Sequence, residues 1–337
     1  MLSLVCILPA NITVVRWFQN FDVRFKSEIA PLSRFFTHKV CVEAPQTLRI
    51  ASENSPSRNS PRGLSAKRFD MGGRMNTVKT DSFEMDYIKF GHGSRTLVII
   101  PGLSVQSVLL SADAIEEAYR MFTDDYTVYL FDRRKDLPDV YSVHDMAKDT
   151  AAAFNVLGLD QVYLFGVSQG GMISLNIAID HPEIIQKLAV GSTAACLDDE
   201  HFRISDRWIR LAEAGKATEL YLAFGEAIYP QHVYEQSQGL LMEAAKTVTG
   251  EDLHRFIVLA EGTRGLNITE DLVKITCPVL YIGSRDDRIL GTMGAEQLAQ
   301  QLNGRPDFEM YMYDNYGHAA YDIAPGYKER VLEFFAW

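Results

Sequence analysis

The sequence predicts an α/β domain: a mostly parallel sheet with helices on both faces, interrupted by a helical insertion. Three observations carry this. Short apolar runs recur at 96–100, 127–131, 162–165, 188–190 and 279–282, and continuous rather than alternating apolar character marks strands buried on both faces. Segments with helical spacing separate most of these runs, as crossover helices do between parallel strands. The alternation then breaks between about 196 and 266, where no clear strand is present and Trp208, Leu211, Leu220, Phe224, Leu240, Leu241, Leu253, Phe256 and Leu259 suggest several amphipathic helices.

Length and composition set the frame. A chain of 337 residues with 47% hydrophobic content can build one large domain with an insert or two modest domains, and is not disordered throughout. The net charge of −11 is unevenly divided: residues 1–74 hold 11 Lys and Arg against 5 Asp and Glu, a net of +6, and the remainder holds 22 against 39, a net of −17. An acidic body repels phosphate backbones, so nucleic acid is not an expected partner and a small molecule is. Cys6, Cys41, Cys196 and Cys277 form neither a C-x-x-C pair nor a dense framework, which fits a reducing, cytoplasmic compartment. The sequons at Asn11 and Asn267 are read as chance.

Taken in chain order, the first 74 residues read as a poorly ordered or non-native extension. Residues 1–15 are apolar, but no basic stretch precedes them and Pro9 and Asn11 interrupt the run. It resembles a signal peptide poorly and is too short to span a bilayer, so no stable membrane anchor is expected. From 52 to 74 the chain turns to Ser, Arg, Pro, Asn and Gly without apolar periodicity, the composition of a linker or a transit peptide. Gly72-Gly73-Arg74 can also be written in purine-only codons resembling a bacterial ribosome-binding site, which would place the translation start at Met75.

The body follows. In segment 142–157, Ser142 can cap, Asp145 lies three residues on, and Val143, Met146, Ala147, Thr150, Phe154 and Leu157 recur at helical spacing before Gly158 stops the helix. The run 162–165 leads into Gly166-Val167-Ser168-Gln169-Gly170, and a helical pattern starts at once after it. Strand, tight turn and helix are the context that presents a serine oxygen on a strained turn above a sheet edge. The insertion at 196–266 should cap that edge. Two further strands are expected, at 279–282 and around 308–313, and then a terminal helix beginning near Pro325.

A serine hydroxyl needs a base, a carboxylate to orient that base, and backbone donors for an oxyanion. His318, in Tyr316-Gly317-His318-Ala319-Ala320, follows the last expected strand and is the candidate base for Ser168. Asp286 and Asp287 follow strand 279–282, and either could orient it. The donors expected are the amide of Gln169, which opens the helix after the serine, and that of Leu103 in Pro101-Gly102-Leu103-Ser104, the loop after the first long buried strand.

These motifs together resemble the α/β-hydrolase fold family over residues from about 84 to 337: Ile100-Pro101-Gly102-Leu103 for the oxyanion loop, Leu164 to Met172 for the nucleophile elbow, Gly283-Ser284-Arg285-Asp286 for the acid turn and Gly317-His318 for the base. The resemblance implies an eight-stranded sheet with a helical cap at 196–266, core segments 75–195 and 267–337, and a Ser168, His318, Asp286 triad needing no metal or organic cofactor. The family's acid turn places its aspartate three residues after the glycine, which selects Asp286. Two motifs depart from the family pattern. Pro101-Gly102 stands for the common His-Gly, and Asp132-Arg133-Arg134-Lys135-Asp136 for the usual Asp-x-Arg-Gly-x-Gly.

The activity implied is that of a carboxylesterase-like serine hydrolase acting on an ester or related small acyl substrate. A carbon–carbon bond hydrolase and an aminopeptidase are alternatives of the same fold. The latter needs a cap carboxylate such as Glu213, Glu219, Glu226, Glu235 or Glu243. A non-catalytic ligand-binding receptor on the same fold is the alternative of another class; loss of a triad member would favour it, and none is lost. Trp208, Tyr221, Phe224, Tyr229 and Tyr234 could line a pocket or pack a core. The oligomeric state is not fixed by the sequence.

Overall fold

The computed structural model describes residues 75–336; the extension expected at 1–74 lies outside them. Eight strands form one sheet in the order β1-β2-β4-β3-β5-β6-β7-β8. They are β1 Met75–Lys79, β2 Glu84–Phe90, β3 Arg95–Ile100, β4 Tyr126–Arg134, β5 Val162–Val167, β6 Ile185–Gly191, β7 Val279–Ser284 and β8 Phe308–Tyr313. Only β2 runs against its neighbours: it pairs antiparallel with β1 and β4, and every other pairing is parallel. The apolar runs read from the sequence are the interior strands. β1 and β2 lie at one side of the sheet and bury few residues instead: Val78 in β1, and Met85, Ile88 and Phe90 in β2.

Alternation along each strand divides the core into two layers. Val98, Ile100, Leu164, Leu188, Val190 and Val279 face the layer covered by α2 Val143–Leu157, α3 Gln169–Asp180 and α8 Met293–Leu302. Leu97, Ile99, Phe165, Ala189, Leu280 and Ile282 face the layer covered by α1 Ala112–Ala118 and α10 Tyr327–Ala336. The helix signals behave as the local chemistry requires. Ser142 and Asp145 form a reciprocal capping box, and Gly158 ends the helix in the left-handed region at φ 65°.

Between β6 and β7 the chain makes four helices, α4 Asp199–Glu213, α5 Ala217–Ile228, α6 Gln231–Ala245 and α7 Gly250–Glu261. They have their own apolar core, in which Trp208, Leu220, Tyr221, Phe224, Leu241 and Phe256 are buried. Val105 and Ala319, from two sheet-edge loops, belong to that same cluster, so the insertion sits over the carboxyl ends of the strands. Its two ends meet in an isolated bridge between Cys196 and Asn267, flanked by Leu197 N–H donating to Leu266 O (3.0 Å) and Ile268 N–H to Ala195 O (2.8 Å). A short helix, α9 Ala320–Ile323, follows β8 and precedes the terminal helix. Among the described residues no helix is long and apolar enough to cross a membrane.

Candidate active site

Ser168 stands between β5 and α3 with φ 53° and ψ −124°, a positive φ that a side-chain-bearing residue adopts only when its surroundings impose it. Its amide donates to Gly191 O (2.8 Å), and its carbonyl accepts from Thr193 Oγ1 (2.8 Å) and Met172 N–H (3.1 Å). The turn is closed by two glycines that admit no side chain. A Cβ at Gly170 would lie 2.0 Å from Ile100 O, and one at Gly166 would lie 2.3 Å from Ser174 Oγ.

The Ser168 hydroxyl donates to His318 Nε2 at 2.9 Å, and His318 Nδ1–H donates to Asp287 Oδ2 at 2.7 Å. A carboxylate only accepts, so the Nδ1 proton is fixed and the Nε2 lone pair faces the serine. His318 is 3% and Asp287 6% exposed, and water hardly competes for the bond between them. The second oxygen of Asp287 accepts from the amides of Ile289 (2.8 Å) and Leu290 (3.0 Å), which fixes the carboxylate before it meets the imidazole.

This corrects the expectation that Asp286 orients the histidine: the structure puts Asp287 there. The turn after β7 carries Asp286 outward, exposed, and Asp287 inward. Asp286 Oδ1 accepts from Ser284 Oγ (2.6 Å) and Tyr316 N–H (3.2 Å), and Oδ2 from Gly317 N–H (3.1 Å). Desolvation pushes its carboxyl up, but the Ser284 hydroxyl and backbone amides outweigh it and hold the pKa below its ordinary value. Asp286 thus braces the loop that carries His318 without touching the ring. Counting from Gly283 misplaced the acid by one residue, because the spacing does not encode which of two adjacent side chains the turn buries.

Ser168, His318, Leu103 and Gln169 line one cavity. The Pro101-Gly102 loop is pressed against the serine: a Cβ on Gly102 would lie 3.1 Å from Ser168 Cβ. The insertion closes the cavity with Trp208 and Phe224, whose rings are 4.6 Å apart. Tyr221 and Tyr229 are buried in the insertion itself, so the aromatic residues divide between wall and core. His201 and Ser205, one helical turn apart on α4, add polar groups to the wall. Sequence reading missed that pair, although two polar residues at i and i+4 on an amphipathic helix were a usable signal. His201 Nδ1 lies 2.7 Å from Asp198 Oδ1. None of Glu213, Glu219, Glu226, Glu235 and Glu243 lines the cavity, and among the described residues no group of three or more His, Cys, Asp and Glu could hold a metal ion.

A family model described as alpha/beta hydrolase fold matches residues 96–212. Among curated proteins, the chain is 32% identical over 203 residues to a protein of Serratia proteamaculans strain 568 named as a carbamate hydrolase, RutD, covering 58% of this chain and 73% of the relative. It is 24% identical to a 2-hydroxy-6-oxononadienedioate/2-hydroxy-6-oxononatrienedioate hydrolase of a Pseudomonas species, covering 63% and 77%. Among solved structures, MGS-M2, an enzyme from a Medee basin deep-sea metagenome library, superposes with a TM-score of 0.70 at 23% identity, over 78% of this chain and 98% of that one. The enol-lactonase of Burkholderia xenovorans LB400 superposes with a TM-score of 0.67 at 17% identity, over 78% and 100%. At these identities the superpositions speak for the fold.

Proposed function

The chain belongs to the α/β hydrolase fold family and is a hydrolase of that fold, and on that premise we propose that it cleaves a small acyl substrate through a covalent intermediate on Ser168. The observation that carries this is the unbroken line of hydrogen bonds from Ser168 Oγ through His318 to Asp287, at 2.9 and 2.7 Å. In this reading His318 Nε2 takes the serine proton as Oγ attacks the carbonyl carbon. The oxyanion is received by the amides of Leu103 and Gln169, and Asp287 steadies the imidazolium. The proton then passes from Nε2 to the leaving group, the acyl-enzyme forms, and water, activated by the same nitrogen, releases the acid.

The cavity around Ser168 has a volume of about 50 Å³, room for on the order of a few water molecules. This supports a compact acyl group, with the four-helix insertion acting as a cap that sets its size. The relatives supply candidate bonds. A carbamate, like an ester, offers a carbonyl with a heteroatom leaving group, and the RutD resemblance puts it beside simple esters as a substrate class. A vinylogous carbon–carbon bond, as in the dienedioate relative, is the second reading.

A fluorophosphonate probe, followed by a panel of p-nitrophenyl esters of rising chain length, N-substituted carbamates, and a dienoate followed in the ultraviolet, tests this. Labelling at Ser168 with turnover of short esters or carbamates is the expected result. Absence of Ser168 labelling would overturn the serine mechanism and favour a binding protein, and turnover confined to the dienoate would move the activity to carbon–carbon cleavage.

A further inference from the structure

We propose that Arg133 is a positioning residue that aligns both oxyanion amides and ties them to the last helix of the insertion; this rests on the serine-hydrolase reading. Arg133 lies at the end of β4 and is 4% exposed. Its Nη2 donates to two acceptors, Pro101 O at 2.8 Å and Gln169 Oε1 at 3.1 Å. Pro101 precedes Leu103 by two residues in the loop after β3, and Gln169 carries the other amide at the start of α3. One nitrogen therefore links the two chain segments whose amides must converge on the same oxygen.

The link continues outward. With Oε1 of Gln169 engaged by Arg133, its Nε2 donates to Leu259 O (2.6 Å) on α7. Asp132 accepts from the Arg133 amide (2.8 Å) and is hydrogen-bonded by Arg255 Nη2, also from α7. Two adjacent residues at the end of one strand thus hold the insertion and the oxyanion loop in a common frame.

The charge is held in place at a cost. Burial disfavours the guanidinium, pulling its pKa down to about 10, and Arg133 Nε is buried with no hydrogen-bond partner among the described residues. The two acceptors it serves are buried as well, so removing the guanidinium leaves Pro101 O and Gln169 Oε1 without this donor, at a cost to stability. What an apolar residue cannot do is hold a carbonyl and an amide oxygen at one point while placing a positive charge behind the site where negative charge develops.

Arg133→Met and Arg133→Lys, made in the full chain, separate these roles. For Arg133→Met the melting temperature is expected to fall, as two buried acceptors lose their donor, while kcat per fluorophosphonate-titrated site of the folded protein falls about 10- to 100-fold with KM within about twofold. Inhibition by a trifluoromethyl ketone, which mimics the tetrahedral adduct, weakens by the same factor. Arg133→Lys keeps the charge, loses the paired contact, and falls in between. If Arg133→Met does not fold, Gln169→Leu breaks the same link from the other side, with the same expected split. An unchanged kcat per titrated site, a rise in KM alone, or a loss that only tracks the folded fraction overturns the proposal. Wild-type protein that fails to label at Ser168 overturns the serine reading and this inference together; labelled wild type with an equally active Arg133→Met overturns only the inference.

Discussion

The sheet edge and the helical insertion meet in one cavity but are built by opposite means. At the edge each member of the Ser168, His318 and Asp287 line is held by short, directed hydrogen bonds: Ser168 by Gly191 and Thr193, Asp287 by the amides of Ile289 and Leu290, His318 by Asp287. On the insertion side the wall is largely apolar contact, Trp208 against Phe224 and Phe224 edge-on to Phe256 at 6.1 Å. Hydrogen bonds fix position to tenths of an ångström, whereas apolar packing fixes volume. In the function proposed above, the comparison assigns chemistry to the edge and choice of substrate to the insertion.

The strongest test of the edge is Ser168→Ala, expected to lower kcat about a millionfold with little change in thermal stability; retained turnover in a titrated esterase assay would remove the serine from the mechanism. Next comes the contrast between neighbours. Asp287→Asn should cost about 10⁴-fold in kcat, as loss of the imidazole's carboxylate partner does elsewhere, while Asp286→Asn should cost under about tenfold, since Asp286 only braces the loop. Equal losses in parallel kinetics would show that loop position, not contact with the ring, governs the base.

A smaller effect belongs to the wall. Phe224→Ala should shift the ester panel toward longer acyl chains, lowering kcat/KM for acetyl esters by about tenfold and raising it for butyryl or longer ones. If all chain lengths fall together, the insertion sets the chemistry as well as the size. The smallest expected effect is in the pH dependence of stability. The carboxyl of Asp286 is held below its ordinary value of 3.8, so its contribution is fully present above that value and is lost as pH falls through the lower folded-state pKa. Asp286→Asn should therefore flatten the low-pH limb of the melting curve and leave the neutral region nearly parallel to wild type.

The interior strands and the elbow were legible because parallel pairing and a tight strand-to-helix turn leave local marks: continuous apolar runs, and glycines two residues either side of Ser168. β1 and β2 left weaker marks, since each buries only a few residues and forms no continuous apolar run. The acid was ambiguous for a different reason. Asp286 and Asp287 are chemically identical neighbours, and only the turn after Ser284 decides which is buried. Arg133 was legible as a departure from a motif but not as a positioning group, because its acceptors lie 32 and 36 residues away in the chain and no periodicity connects them.

The bridge between Cys196 and Asn267, anchored from α8 by Gln297 accepting from Ala195 and Cys196 amides at 2.8 and 3.1 Å, has an evolutionary consequence. Entry and exit of the four helices are pinned side by side, so the segment between them can lengthen, shrink or be exchanged while β6 and β7 keep their register, at a closure cost that grows only slowly with length. The neck makes the insertion a separable module, whose length and packing can change without disturbing the strands it hangs from.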